Sequence, residues 1–205
     1  DTIVSKDFLK ELVKIGERDE NVGILGPVIY KYGSNKIHFA GGKINRLYTK
    51  GVHISAIPTK PNNQSPITVD YVTGCCLLIK RELIKKIGLM PEEYFLYLED
   101  VDWCLKARRA GYKCVLVPQA KIWHRVSSSI KPESFSYIYY HTRNGLLLAQ
   151  KNAPFFIKIL VYLQSFWIFG KQVIKLIIFP KRKTWAKAIM KGIEDFYKGK
   201  YGELT

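Results

Sequence analysis

Apolar runs of strand length alternate with amphipathic segments of helix length through the first two thirds of this chain, and few architectures accommodate that alternation. Residues 22–30 form an apolar run interrupted by Gly26-Pro27, residues 69–79 a second run broken at Gly74, and residues 113–117 a third stopped by Pro118. Helical patterns lie between them. Ser5 is placed to cap a helix with Asp7 in its first turn, with Phe8, Leu9, Leu12 and Val13 on one face and an end near Gly16. A short helix over 81–87 stops at Gly88, residues 100–109 have helical character up to Gly111, and Ser134 caps a helix from 135 to near 150. Residues 37–57, which include Gly41-Gly42, read as strands and turns, and the Pro- and Asn-rich stretch 58–66 reads as a loop by composition. Strands alternating with helices give an α/β class, and 205 residues suit one compact domain plus an appendage.

The appendage is distinct in composition. Lys and Arg number 33 against 17 Asp and Glu, a formal charge of +16, which calls for a polyanionic partner or surface. From 151 to 200 the only acids are Glu194 and Asp195, and the basic residues are spaced among Phe, Trp, Ile and Leu. That spacing favours an anionic membrane surface over a nucleic-acid groove, and no nucleic-acid-binding motif is present. Within 155–179, Lys158, Lys171 and Lys175 leave 159–170 as the longest uncharged stretch, too short for a span of about 20 residues. Helices lying in the membrane interface fit this pattern, and a buried helical hairpin is the alternative. Cys75, Cys76, Cys104 and Cys114 form no C-x-x-C pair, so zinc ribbons and thioredoxin-like motifs are excluded, and the thiols read as small apolar fillers in a reducing compartment. The start at Asp1 rather than Met reads as a fragment, with no signal peptide in view.

The densest chemistry lies at 94–111, where Glu99, Asp100 and Asp102 follow an aromatic-rich run at the mouth of a helix. Exposed N–H groups favour acids there, so capping accounts for one or two of them. A third acid within four positions adds repulsion that a cation, a metal or a shared proton must relieve. Helical spacing turns Asp100 and Asp102 about 200° apart, so one can face a pocket while the other braces the backbone or pairs with an arginine.

Three segments in order carry a resemblance: Val72-Thr73-Gly74-Cys75-Cys76-Leu77-Leu78-Ile79, then Leu98-Glu99-Asp100-Val101-Asp102-Trp103-Cys104, then Lys121-Ile122-Trp123-His124. With Tyr139-Tyr140-His141-Thr142-Arg143-Asn144-Gly145 and the segment from Gly192 to Gly202, the chain resembles the family-two inverting glycosyltransferases, above all the rhamnosyltransferase-like bacterial members. The resemblance implies a GT-A fold, of which residues 1–133 would be a partial catalytic domain without its first nucleotide-binding strands. Residues 134–205 would be a helical, membrane-facing extension. It implies that Asp100 is the base that takes the acceptor hydroxyl's proton, and that a divalent cation, magnesium or manganese, balances charge on the departing nucleoside diphosphate. His124 matches the family's metal-binding histidine, and Asp1 falls where the last acid of the Asp-x-Asp metal motif would lie. Thr73 and Gly74 would lie near sugar and acceptor, with Glu99 and Asp102 also in the substrate site. Trp103 would stack on an acceptor sugar or fill the core, Arg125 would meet a diphosphate oxygen or solvent, and Arg143 would reach a phosphate or pair with an acid such as Asp102.

The expected partners are a nucleotide-sugar donor, a saccharide or lipid-linked acceptor and the inner face of the cell membrane, approached from the cytoplasm. Two rivals remain at this stage: a non-catalytic basic-aromatic membrane-surface module, and a fragment of the family that is inactive in isolation.

Overall fold

The two longest apolar runs, β2 (Val22–Lys31) and β8 (Lys113–His124), pair in parallel at the centre of a six-stranded sheet. The computed structural model describes residues 2–45, 50–57, 65–125, 134–178 and 183–204. Each central strand is long enough to hold two short antiparallel neighbours end to end. β8 pairs with β1 (Thr2–Val4) near its C-terminal end and with β6 (Ile67–Val69) near its N-terminal end. β2 pairs likewise with β3 (Ile37–Phe39) and β7 (Leu78–Ile79). β4 (Gly42–Asn45) and β5 (Lys50–His53) form a separate two-stranded ribbon. Buried on both faces, the parallel pair reads as continuous apolar sequence rather than alternation.

Proline falls differently from the expectation. Pro118 does not stop its strand; it sits with Pro27 at one irregularity in the parallel pairing, where Pro27 opposes Val117 and Val28 opposes Lys121. Residues 118–120 therefore have no counterpart on β2, and this bulge absorbs the missing proline donor and lets β8 continue to His124. Helix α1 (Phe8–Arg18) covers one face of the sheet, burying Leu12 against Leu25, Val115, Val117 and Ala120. Its N-cap is Asp7 rather than Ser5, and it runs past Gly16, which is buried against Leu25. The expected strand over 69–79 survives only at its two ends, with residues 74 and 75 in a turn. α2 (Arg81–Ile87) ends at Gly88, whose φ of +80° is the left-handed stop expected there. α3 (Glu99–Arg109) is followed by Gly111 at φ +90°.

The chain divides into two compact units, Asp1–Ile44, Gly51–Met90 and Asp100–Ser128 forming one and Asn45–Lys50, Pro91–Glu99 and Ser129–Thr205 the other. The second therefore takes residues 91–99 as well as the C-terminal helices, whereas the division drawn from the sequence was a single cut at 133. Its helices are α4 (Phe135–Asn152), α5 (Phe155–Ile178) and α6 (Lys183–Tyr197). Ser134 caps α4 as expected, its hydroxyl accepting from the Tyr137 N–H at 3.2 Å. α4 and α6 close on Tyr139, Tyr140, Ile138 and Ala188. The Tyr139 hydroxyl donates to Asp195 at 2.8 Å, and burial with that bond pushes the phenol up to about 12. Burial would raise the Asp195 carboxyl, but its bonds to Lys191 and Tyr139 outweigh this and hold it below the ordinary value.

Gly192 lets α6 approach α4 closely: a Cβ placed there would lie 2.9 Å from the Tyr139 carbonyl oxygen. Backbone cannot yield as a side chain does, so Gly192→Ala is expected to destabilise the protein by about 1–3 kcal/mol. Gly170, on α5, has nothing within 4 Å of that position, and Gly170→Ala should be neutral or stabilising by up to about 1 kcal/mol through helix propensity. Urea unfolding of the two variants checks the contrast; equal midpoints would show that the close approach costs nothing.

Candidate functional site

Asp100 is the second residue of α3, where unpaired backbone N–H groups favour an ionised carboxylate. Its Oδ1 accepts from the Val101 N–H at 2.7 Å and its Oδ2 from the Gly74 N–H at 2.7 Å. The second bond depends on the turn that replaced the expected strand: Thr73 accepts from the Cys76 N–H through its carbonyl, which leaves the Gly74 N–H turned toward Asp100. Thr73, Gly74 and Asp100, distant in sequence, are thus brought together, and Asp100 stays half exposed.

His53 feels the charge of Asp100, and with His38 and His124 it forms a row of imidazoles of which only His124 was expected at the site. His53, at the end of β5, meets Phe39 edge-on at 5.0 Å between ring centroids and His38 at 5.9 Å. One side of its ring is open, yet packing lowers its pKa, with the negative charge of Asp100 partly opposing the fall. His38 is lowered by burial first, then by His53, His124 and Lys31. His124 is itself half-buried and lowered by burial. All three rings therefore favour the neutral form. The Tyr71 hydroxyl is raised by burial and by Asp100, so it stays protonated. His124 opposes Lys31 across the parallel pair, and His38 lies between residues paired to the end of β2. This is the carboxyl end of parallel strands, where open α/β sheets place their ligands. The available signal in the sequence was Gly41-Gly42 between two histidines: a Cβ at Gly42 would strike the Tyr71 ring, so the glycine makes room for the aromatic floor of the row.

Three other candidates have different places. Asp102, expected in the substrate site, is fully buried, 3.7 Å from Lys106 one turn on. Trp103 is also buried, its Nε1–H donating to the Gly88 carbonyl at 3.1 Å; of its two readings, core filler is the one that holds. Arg143 has no exposed surface, and its bonds are not to the phosphate or acid expected of it. It belongs to the helical unit, where its five N–H donors go to Asn144 Oδ1, the Tyr139 hydroxyl and the carbonyls of Gly202, Glu93 and Tyr94. The physical reason is common to all three: on a helix packed on one side, the inward positions are taken by structure. Glu99 is half-buried at the start of α3. Arg125 is exposed, its guanidinium 4.9 Å over the Tyr32 ring. Asp1 and most of the expected loop at 58–66 lie outside the described residues. Among the described residues no three His, Cys, Asp or Glu side chains form a metal-holding group.

Known proteins resemble this chain in sequence and in fold. An N-acetylglucosaminyl-diphospho-decaprenol L-rhamnosyltransferase of Mycobacterium tuberculosis is 27% identical over 155 residues, 69% of this chain and 50% of that protein. The low-salt glycan biosynthesis hexosyltransferase Agl10 of Haloferax volcanii is 25% identical over 193 residues, 92% of this chain and 61% of that one. The chain thus spans between half and two thirds of these relatives' length. A crystal structure of GalNAc-T7 with UDP, GalNAc and Mn2+ superposes with a TM-score of 0.56 at 16% identity, over 96% of this chain and 38% of that one, so the fold is α/β of the GT-A type. The profile of Glycosyl transferase family group 2 matches residues 1–179, and the chain belongs to that family.

Proposed function

We propose that the protein transfers a sugar from a nucleoside-diphosphate sugar to a hydroxyl of a saccharide or lipid-linked acceptor, with inversion at the anomeric carbon and Asp100 as the base, in cell-surface polysaccharide synthesis at the inner face of the cell membrane. The observation that carries this reading is the Asp100 carboxylate, half exposed and held by the Gly74 N–H at 2.7 Å, near the His53 imidazole, which favours the neutral form. The relatives' names support the substrate classes: one includes a sugar on diphospho-decaprenol, the other glycan biosynthesis.

A hydroxyl is a poor nucleophile at neutral pH, and a fixed carboxylate accepts its proton as the oxygen attacks the anomeric carbon. Bonds from Gly74 and Val101 restrict the carboxylate's rotation, so its remaining lone pairs point in defined directions. Arg125, exposed and already stacked on Tyr32, supplies a cation for the diphosphate. A divalent cation, magnesium or manganese, would balance charge on the leaving group. His124 fits as one ligand because its imidazole favours the neutral form, while the described residues hold no complete ligand set. The remaining ligands would be the donor's phosphates and carboxylates outside the described residues, Asp1 among the candidates.

Asp100→Asn keeps the size and removes the basic charge. Transfer is expected to fall about 10²–10⁴-fold, or roughly 3–5 kcal/mol of barrier, with donor binding retained. Asp102→Asn should instead lower stability more than the rate per folded molecule, since that side chain is fully buried. Radiolabelled sugar transfer, read alongside calorimetric donor binding and thermal unfolding, separates the two; near-normal transfer by Asp100→Asn would overturn the assignment of the base. Chelation of divalent cations should abolish transfer, with magnesium or manganese restoring it. Undiminished turnover in excess chelator would remove the cation from the mechanism.

A further inference from the structure

Helix α5 is built inside out. Its buried residues are Ser165 and Gln172, seven positions apart on one side. The Ser165 hydroxyl lies 2.8 Å from the Tyr197 hydroxyl of α6 and donates to the Tyr162 carbonyl, while Gln172 donates to the Ile168 carbonyl. On the opposite side Phe156, Leu160, Leu163, Trp167 and Ile174, spaced by four, three, four and seven residues, form one stripe, each between 56% and 77% exposed. In water a helix at a protein surface turns its apolar stripe inward and its polar side out. The reverse arrangement leaves large apolar side chains with no protein to cover them among the described residues, well beyond the scattered exposed leucine that needs no explanation.

The charges around the stripe indicate what covers it. Residues 134–193 contain no acid and ten Lys and Arg. On α5 itself Lys171 lies over the Trp167 ring at 5.4 Å, so ammonium and indole share one edge of the stripe. A second copy docked face to face would set a basic helix against a basic helix. An anionic lipid surface offers acyl chains to the stripe and phosphates to the lysines. No helix among the described residues is long and apolar enough to cross a membrane, which leaves the orientation in the plane. We infer that α5 is a docking helix that lies in an anionic bilayer surface with Phe156, Leu160, Leu163, Trp167 and Ile174 among the acyl chains and Lys171 at headgroup level. This deepens the membrane part of the proposed function and is independent of its catalytic part.

The test is flotation of the full chain with vesicles of phosphatidylcholine alone or mixed with phosphatidylglycerol, at low and high salt. Wild type should float with the mixed vesicles and much less with phosphatidylcholine alone, and high salt should reduce the bound fraction. Leu163→Ser with Trp167→Ser should weaken partitioning at least about tenfold per side chain, with the thermal midpoint unchanged because both are exposed. Wild type remaining in solution with the anionic vesicles overturns the inference, as does a double variant that floats like wild type. A dimer that the double variant dissolves, without vesicle binding by either, overturns it in favour of a second copy. The same preparations, assayed for Asp100-dependent transfer, distinguish failure of docking from failure of the catalytic reading.

Discussion

Arg143 is the residue around which the helical unit is organised. Three consecutive-region residues with side chains, Phe95, Tyr97 and Leu98, have φ of 60°, 68° and 73°, a conformation that costs on the order of 1–3 kcal/mol each outside glycine. Arg143 and Asn144 hold that backbone in place. Arg143 takes the carbonyls of Glu93 and Tyr94, and Asn144 donates to those of Tyr94, Leu96 and Tyr97 at 2.7–3.0 Å. Charge-assisted bonds are worth about 1.5–3 kcal/mol each, enough to offset the strain, and a guanidinium reaches several carbonyls in fixed directions where an ammonium could not. The same side chain takes the Gly202 carbonyl, so one buried cation ties the loop at 93–94 to the end of the chain. The loop it fixes ends at Leu98, and the next two residues are Glu99 and Asp100.

Position on α3 decides what each acid can do. Asp100 and Asp102 differ by two residues, which on a helix is about 200° of rotation. One meets the Gly74 N–H and remains half exposed; the other is enclosed beside Lys106. Trp103 and Cys104 follow Asp102 into the interior, where Cys104 Sγ accepts from the Val72 N–H at 3.4 Å. The buried side of α3 therefore grips residue 72 and its polar side grips residue 74. Two bonds from one helix fix the turn on which the geometry of Asp100 depends.

The α/β class, the helices at 81–87 and 135–152, the glycine stops at Gly88 and Gly111 and the ordered motifs were legible because they depend on local chemistry: period, caps and left-handed glycines. The placement of Asp100 with Thr73 and Gly74 was legible through the resemblance and took physical form in one hydrogen bond. What was not legible depends on the partner across the sheet. Pro118 reads as a stop, and only pairing with β2 shows that residues 118–120 loop out while the strand goes on. Arg143 reads as a phosphate ligand because its chemistry suits one, and nothing local reveals that carbonyls from residues 93, 94 and 202 surround it. His38 and His53 were missed for the same reason, since they share no local pattern with His124, the one imidazole that the resemblance picked out.

The basic excess shows how one composition serves two purposes. Some cations are used inside the helical unit: Arg143 in the carbonyl clamp, Lys191 on Asp195 and Lys151 on Glu93. Each of these satisfies a specific partner, so each contributes to the fold whatever the surroundings. Helix α5 has no acid along its length, so Lys158, Lys171 and Lys175 have no carboxylate within their own helix to answer them. A cation placed beside exposed Trp and Phe costs little in water, because its stem covers apolar surface while the ammonium stays hydrated. At an anionic surface the same placement becomes favourable through both parts of the side chain. Net charge alone cannot separate these uses; the polarity of the helix face does. On α4 and α6 the buried residues are mostly apolar, with Arg143, Asn144 and Asp195 enclosed on specific partners, whereas on α5 the fully buried residues are Ser165 and Gln172 and a row of large apolar side chains faces outward. A helix that turns a row of large apolar side chains outward and carries lysines with no acid along its length suits the anionic surface proposed for it.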